Sequence, residues 1–517
     1  MAEQGFRKWI IVITVISAAV IELIDTSIVN VALSDMSASL GATIEDVAWV
    51  ITSYAIANVI IIPMTSFLGG LFGRRNYYTV SILIFTAASF FCGQSHSIVE
   101  LVIFRFIQGL GGGALLSTSQ SILFDTFSVE ERPTATALFG LGVVIGPTIG
   151  PTLGGWIVDN FNWPWIFFVN IPIGITAAIL SYTYVKEPKH ERRVLSIDWW
   201  GIILLIVGIA SLQYVLERGE TEDWFSSRTI VVLSAISLVS LVTFIWHELT
   251  TEHPVVELHV LKSRTLASCA FLTFIIGFGL FSSVFIIPVF AQRLLNYDAM
   301  QTGLLLLPGA LVTMFTLPWV GKIMERGAPL QLLIFLGFTL TALFTYLLST
   351  ISLDAGWWTF FWPLVIRGIG LPMCFVPITN LAVSGLHPRD IPQGVAMNNM
   401  MRQLGGSFGI AIVNTYLANR MMVNRVSLIS NITQYGTATQ QRLSMLTHAF
   451  MAKGATLVQA KQQALAVIEG IVMQQTMLKS YLDVFIFVTI FFVACLPLIL
   501  TIRKGRAAPS PELAAAH

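Results

Sequence analysis

The chain has 517 residues and a formal net charge of +1, and it is 55% hydrophobic but only 11% charged. Because a soluble domain carries about 25% charged residues, this composition excludes an ordinary soluble fold and predicts a membrane protein. The small net charge, with no basic stripe, argues against a nucleic-acid partner.

Long apolar runs recur along almost the whole chain, and each can cross a hydrocarbon core of about 30 Å as a helix. The first run resembles a signal peptide, but it contains Glu22 and Asp25 and has no clear cleavage site. It is therefore predicted to be a retained span. In chain order, the fourteen predicted spans are 9–32, 47–69, 76–95, 98–124, 134–158, 164–185, 198–217, 229–248, 267–290, 301–321, 329–350, 357–383, 393–418 and 481–502.

The distribution of basic residues predicts the orientation of these spans. Loops on the side of the N-terminus are rich in Lys and Arg, whereas the short loops on the other side hold only Arg218, Arg228 and Arg293. Since positive charge marks cytoplasmic loops, both chain ends are predicted to lie in the cytoplasm, which requires an even number of spans.

A faint internal repeat predicts the domain organisation. The stretch IFRFIQGLG around Arg105 in the fourth span resembles LVIRGIGLP around Arg367 in the twelfth. An offset of eight spans predicts two six-helix halves separated by two inserted helices, a duplication typical of secondary transporters. The predicted divisions are a first six-helix bundle (1–185), a basic linker with two inserted helices (186–250), five helices of the second bundle (251–418), an outer insertion of two amphipathic helices (419–480), the last helix (481–506) and a disordered tail (507–517).

Charges inside the spans are few, and each costs about 2.5–3.5 kcal/mol to bury on insertion scales. Glu22 and Asp25 lie one helical turn apart, and the helical rise places Asp25 and Arg105 in the outer half of the membrane. These three residues predict a proton-coupling site, with a structural ion pair as the alternative. Polar residues predicted to line a substrate cavity, each of which could instead be an interhelical hydrogen bond, are Glu22, Asn58, Gln108, Gln120, Arg367, Asn380, Asn398 and Arg402.

The fifth span carries a Gly/Pro motif made of Gly142, Gly146, Pro147, Gly150, Pro151, Gly154 and Gly155. Glycines at every fourth position share one helical face and allow very close packing, while the prolines bend the helix. The face is predicted either to be a plain packing surface or to slide between the two halves.

No stretch of the sequence indicates catalysis. The glycine run at 109–113 and the GxSxG match at 405–409 both lie inside spans with no strand before them, so neither indicates a nucleotide loop or a hydrolase elbow. The four cysteines and eight histidines show no metal-ligand spacing. The sequence therefore predicts neither an enzyme nor a cofactor or metal site.

At these motifs the chain resembles the fourteen-helix drug–proton antiporters of the EmrB/QacA family, within the major facilitator superfamily. The stretches that carry the resemblance are IDTSIVNVAL (24–33), RFIQG (105–109), GPTIGP (146–151), WPWIFFVNIPIG (163–174), LPG (307–309) and MNNMMRQLGGSFG (397–409). Two positions depart from the pattern: Gly70 stands where many relatives carry Asp, and Ser34 where the first motif often ends in Pro.

The resemblance implies an all-α polytopic membrane protein with the major facilitator fold, in a bacterial inner membrane. It implies proton-driven export of amphipathic small molecules by alternating access, powered by the proton gradient without a cofactor. The long Gln-rich outer insertion is most similar to the EmrB branch, which implies a periplasmic adaptor and an outer-membrane channel as partners. The alternatives are an exporter of a native metabolite, such as a fatty acid or siderophore, and a non-transporting scaffold or receptor.

Overall fold

The computed structural model describes residues 5–187, 197–433 and 435–500, and these are helical almost throughout, with no strand within those ranges. The helices are α1 (Phe6–Leu40), α2 (Ile44–Phe72), α3 (Arg74–Gly93), α4 (Ile98–Thr126), α5 (Arg132–Asn160), α6 (Trp165–Phe168), α7 (Asn170–Tyr184), α8 (Trp199–Arg218), α9 (Arg228–Thr250), α10 (Arg264–Leu294), α11 (Ala299–Glu325), α12 (Leu330–Leu348), α13 (Trp357–Ser384), α14 (Ile391–Ile429), α15 (Thr437–Ala452) and α16 (Leu457–Leu500).

Thirteen spans within the described residues are long and apolar enough to cross a membrane, with α6 and α7 together forming one span, Trp165–Tyr184. They lie at the predicted positions. The predicted thirteenth span corresponds to α14, which is more polar because it carries Asn398, Asn399 and Arg402. The chain is therefore a multi-pass membrane protein, and fourteen spans are consistent with its helices.

The helices form two bundles around separate cores. In the first bundle, α1 packs on α4, α5 and α7, and α3 and α4 pack on each other. In the second bundle, α10, α12, α13, α14 and α16 enclose one large apolar core. The inserted hairpin of α8 and α9 packs on α2 and α14. The two-bundle architecture with two inserted helices is as predicted.

Two helix pairs join the bundles along their length: α5 packs on α11, and α2 packs on α14. A Cβ atom added at Gly303, near one end of α11, would lie 2.6 Å from Thr152 Oγ1 of α5. A Cβ atom at Gly321, near the other end, would lie 3.1 Å from the Pro133 carbonyl oxygen. The α5–α11 contact is therefore close at both faces of the membrane.

The outer insertion, which we call the outer arm (residues 419–480), differs from the prediction of a separate two-helix unit. The 39-residue helix α14 continues into the arm to Ile429, and the 44-residue helix α16 begins in the arm and runs on into the last span. The predicted boundaries at 418 and 480 fall inside these helices because no proline interrupts the chain between Pro392 and Pro497.

Helix α15 lies against the arm segment of α16, where Ala460 and Ala464 are fully buried. The apolar side chains of Val467 and Ile471, further along α16, remain exposed. Residues 188–196 of the basic linker and the predicted tail at 507–517 lie outside the described residues.

Candidate functional site

Asp25 of α1 and Arg105 of α4 form a buried ion pair. Arg105 Nη1 lies 2.5 Å from Asp25 Oδ2, and the two residues are 1% and 0% exposed. The other carboxylate oxygen, Oδ1, accepts hydrogen bonds from Gln108 Nε2 at 2.9 Å and from Asn170 Nδ2 at 2.8 Å. One carboxylate therefore joins α1 to α4 and to the start of α7.

Contacts from α2, α4 and α6 stabilise the positive charge of Arg105. Its Nε donates to the Val50 carbonyl oxygen at 3.1 Å, and Nη1 donates to Gln108 Oε1 at 2.8 Å. The guanidinium also lies over the rings of Tyr54, at 4.2 Å, and Phe167, at 5.7 Å. Such contacts compensate a buried charge that would otherwise be very costly in the membrane interior.

Three residues of this network, Tyr54, Ser89 and Asn170, were missing from the predicted site. Gln108 Nε2 donates to Ser89 Oγ at 2.6 Å, which ties α3 to the network as well. Asn170 could have been found by the argument that identified Asp25, because it is the lone amide in the apolar run IFFVNIPIG.

Glu22 lies one turn from Asp25, and its carboxylate is only partly satisfied. Oε1 accepts hydrogen bonds from Asn58 Nδ2 at 2.9 Å and from Tyr54 Oη at 3.4 Å. Oε2 is buried and has no hydrogen-bond partner among the described residues. Tyr54 contacts Glu22 through its hydroxyl and Arg105 through its ring, so it links the two acidic positions.

Arg402 approaches Glu22 from the second bundle. Glu22 of α1 is the acidic residue that acts electrostatically on Arg402, and the Arg402 guanidinium lies 5.7 Å from the Phe375 ring of α13. The residue is 6% exposed. A buried acidic residue of the first bundle and a buried basic residue of the second are therefore electrostatically coupled.

Polar contacts close the interface between the bundles at the end predicted to be cytoplasmic. Asn399 Nδ2 donates to Gln120 Oε1 at 2.9 Å, and Asn380 Nδ2 donates to Thr136 Oγ1 at 3.0 Å. An apolar cluster made of Phe124, Val383, Ile391 and Val395 lies beside them. Gln120 and Asn380, predicted to line a cavity, thus lie in the contact between the bundles.

The other two predicted cavity residues lie within the second bundle. Asn398 Oδ1 accepts a hydrogen bond from Thr273 Oγ1 at 2.7 Å, which joins α14 to α10. Arg367 lies 5.8 Å from the Phe344 ring of α12, and no described acidic residue pairs with it. The repeat counterpart of Arg105 therefore has no counterpart of Asp25.

The glycine face of α5 packs on α1, inside the first bundle, and not between the two halves. A Cβ atom at Gly146 would lie 2.4 Å from Leu23 Cβ, and one at Gly150 would lie 1.9 Å from Ser27 Oγ. Gly155, included in the motif, faces open space. This face holds α5 against the segment of α1 that carries Glu22 and Asp25.

The GxSxG match at 405–409 has a similar explanation. A Cβ atom at Gly405 would lie 2.1 Å from the Phe274 carbonyl oxygen, and one at Gly409 would lie 2.6 Å from that of Phe278. These glycines allow close packing of α14 on α10, in agreement with the conclusion that this stretch is not a hydrolase elbow.

Comparison with known proteins gives the family. The sequence model of the Major Facilitator Superfamily matches residues 15–410. The chain belongs to the major facilitator superfamily. It is 32% identical over 448 residues to the multidrug export protein EmrB of Escherichia coli strain K12, covering 86% of each chain. It is 31% identical over 486 residues to the fatty acid resistance protein FarB of Neisseria gonorrhoeae, covering 93% of each.

The fold agrees with this membership. The crystal structure of the human organic anion transporter MFSD10 (TETRAN) matches with a TM-score of 0.58 at 13% identity, covering 95% of this chain and all of that one. At that identity the likeness concerns the fold alone. As a member of the major facilitator superfamily, the chain is a membrane transporter and not an enzyme.

Proposed function

We propose that this major facilitator protein is a proton-driven antiporter that exports amphipathic small molecules from the cytoplasm by alternating access. The observation that carries the proposal is the buried pair of Asp25 and Arg105. Ionisable residues inside a membrane span are costly to bury, and for that reason they usually mark a functional site. No cofactor is needed, since the proton gradient supplies the energy.

In the proposed cycle, Asp25 carries the coupling proton. Its ionised carboxylate accepts hydrogen bonds from Arg105, Gln108 and Asn170, which hold α1 against α4 and α7. Protonation removes the negative charge and weakens these charge-assisted bonds. The contacts of α1 then change, and the equilibrium between the outward-open and inward-open arrangements shifts with the protonation state.

Glu22, Asn58 and Arg402 form the proposed centre of the substrate site. Glu22 and Arg402 belong to different bundles and are electrostatically coupled. A site between the two bundles is where an alternating-access transporter holds its substrate. Tyr54 contacts both Glu22 of this centre and Arg105 of the proposed proton site, so it physically connects the two sites. The contacts at Gln120 and Asn380 form the proposed cytoplasmic gate.

The names of several relatives favour multidrug export. Besides the Escherichia coli protein, the colistin resistance protein EmrB of Acinetobacter baumannii is 28% identical over 490 residues and covers 93% of this chain. The second candidate is export of a native metabolite such as a fatty acid, which the Neisseria relative FarB favours. Efflux assays with drugs and fatty acids side by side would discriminate the two.

We place the protein in a bacterial inner membrane, with a periplasmic adaptor and an outer-membrane channel as partners. The outer arm supports an adaptor, because it presents exposed apolar side chains such as Val426, Val458 and Leu465 at 69%, 69% and 50% exposure. Shortening the whole outer arm, residues 419–480, to a flexible linker removes these side chains and should leave transport in proteoliposomes intact. It should abolish resistance in cells that contain the adaptor, and full resistance would refute the docking role.

The proposed function is tested by transport in proteoliposomes with an imposed pH gradient. The wild-type protein should move drug against its concentration gradient only when the proton gradient is present. Asp25→Asn should abolish this uphill transport but retain exchange of drug at equal pH, because the amide keeps the shape of the side chain and cannot ionise. Uphill transport by Asp25→Asn at wild-type protein levels would refute the proposal.

A further inference from the structure

Arg402 is a buried cation with little to compensate its charge. The residue is 6% exposed, and its guanidinium makes no hydrogen bond or ion pair with any residue in the described ranges. Its charged neighbour there is Glu22, whose own hydrogen bonds go to Asn58 and Tyr54. A guanidinium has five N–H donors, and those of Arg402 have no protein acceptor among the described residues, so they are free to bind a ligand.

The surroundings do not supply the missing acceptor. Between Arg264 and Ile429 the acidic residues are Asp298, Glu325, Asp354 and Asp390, and all four lie at helix ends or in loops. The Asp25 carboxylate is already occupied by Arg105 and two amides. Besides Glu22, no protein carboxylate of the described helices α10 to α14 or of the proposed proton site is available to Arg402.

The packing of α14 fixes where this cation points. A Cβ atom at Gly277 of α10 would lie 2.1 Å from the Arg402 carbonyl oxygen, so the backbone of Arg402 is pressed onto α10. The side chain extends away from this contact to Phe375 of α13 and to the electric field of Glu22 on α1. The guanidinium is therefore presented at the interface between the bundles, beside an aromatic ring.

We infer that Arg402 binds the anionic head of the substrate, and that carboxylate-bearing amphiphiles are a preferred substrate class of this transporter. This inference rests on the proposed export function and specifies the chemistry of the same site. A guanidinium matches a carboxylate through two parallel hydrogen bonds, and a site whose donors have no protein partner discriminates between ligands that do and do not pair with them. The Phe375 ring lies beside the head, where an apolar tail would begin.

Changes at Glu22 should affect the binding of anions in the direction opposite to changes at Arg402. At a pH high enough to ionise Glu22, its carboxylate repels an anion bound at Arg402 and attracts a cation, so the binding comparison is made at that pH. Removing the charge of Arg402 should therefore weaken anion binding, and removing the charge of Glu22 should strengthen it. A purely structural role of either residue predicts no such reversal.

The test uses three amphiphiles with the same twelve-carbon tail: dodecanoate, dodecanol and dodecyltrimethylammonium. Their dissociation constants are measured by competition with a fluorescent amphiphile on the full-length protein in nanodiscs. Arg402→Gln should weaken dodecanoate binding at least about tenfold, the loss typical of one charge-assisted pair, with dodecanol unchanged. Arg402→Lys should retain part of the affinity, and Glu22→Gln should tighten dodecanoate and weaken the ammonium compound. The control Arg326→Gln removes one exposed positive charge from the same bundle and should leave all three constants unchanged.

Equal losses for all three amphiphiles in Arg402→Gln, or no loss for dodecanoate, would overturn the inference. If Arg402→Gln does not fold, the Lys variant and the opposite response of Glu22→Gln still decide the question, and an unchanged head-group preference in both would also overturn it. Failure of the proposed export function gives a different result, in a transport assay. The wild-type protein would then transport none of the three amphiphiles in response to a proton gradient.

Discussion

The packing of α5 on α1 provides a test of how the proposed proton site, Asp25 with Arg105, is held in place. An alanine at position 146 would put its Cβ atom 2.4 Å from Leu23 Cβ, whereas two carbons need about 3.5 Å or more. Because Leu23 Cβ is attached directly to the backbone, no rotation relieves the clash, and the two helices must separate locally by about 1 Å. Inserting a methyl group into such a contact costs about 1–3 kcal/mol.

The separation also displaces the functional residues, because Leu23 lies between Glu22 and Asp25. A shift of about 1 Å at the carboxylate can reduce a geometry-dependent rate by about 100-fold. Gly146→Ala should therefore lower the unfolding temperature in detergent and reduce uphill drug transport in proteoliposomes. The matched control is Gly155→Ala on the same helix, where an added Cβ atom has no atom within 4 Å. The reasoning fails if Gly146→Ala is as stable and as active as Gly155→Ala.

Two further predictions concern the gate and the arm. Asn399→Ala removes the hydrogen bond to Gln120 that joins the bundles at the predicted cytoplasmic end, and it should favour the inward-open arrangement. A thiol-reactive probe should then label a cysteine placed by Gln393→Cys faster than in the parent protein. Unchanged labelling would contradict the proposed gate. Arg420→Ala leaves Asp483 without its ion-pair partner and should raise amide hydrogen exchange across the arm segments of α14 and α16. Arg425→Ala removes a more exposed ion pair, with Glu469, and should change amide exchange little. Equal effects of the two substitutions would contradict the view that the Arg420 pair fixes the arm.

The spans could be predicted from the sequence because hydropathy is unambiguous in this chain. The predicted tenth span, 301–321, corresponds to α11 at Ala299–Glu325, for example. The ends of the arm could not be predicted in the same way. Helical periodicity identifies which face of a segment is apolar, but it does not show where one helix stops, and α16 continues from a polar surface into the membrane without a breaker.

The contact between Asp25 and Arg105 could be predicted from the sequence, because the rise per residue of a helix fixes the depth of each side chain in the membrane. The estimated depths of Asp25 and Arg105 placed them at the same level, and the structure has them in contact at 2.5 Å. Their roles in transport stay a prediction. Arg367 shows what an internal repeat does not predict. The repeat identifies Arg367 as the counterpart of Arg105, but α10 carries no acidic residue to pair with it.

The neighbours of polar and small residues could not be predicted, since a sequence pattern does not identify the opposing helix. Gln120 and Asn58 are both amides in apolar spans, yet Gln120 meets Asn399 of the other bundle and Asn58 meets Glu22 of its own. The glycine face of α5 similarly predicts a close contact but not its partner, which is α1.

Proton release on drug binding tests the central claim most directly. A saturating amount of a neutral drug is added to the purified protein in weakly buffered solution, and a pH-sensitive dye reports the protons released. If Asp25 is the site where proton and drug are coupled, the wild-type protein should release protons, and Asp25→Asn should bind the drug but release none. Proton release by Asp25→Asn equal to that of the wild type, at the same drug occupancy, would contradict the account.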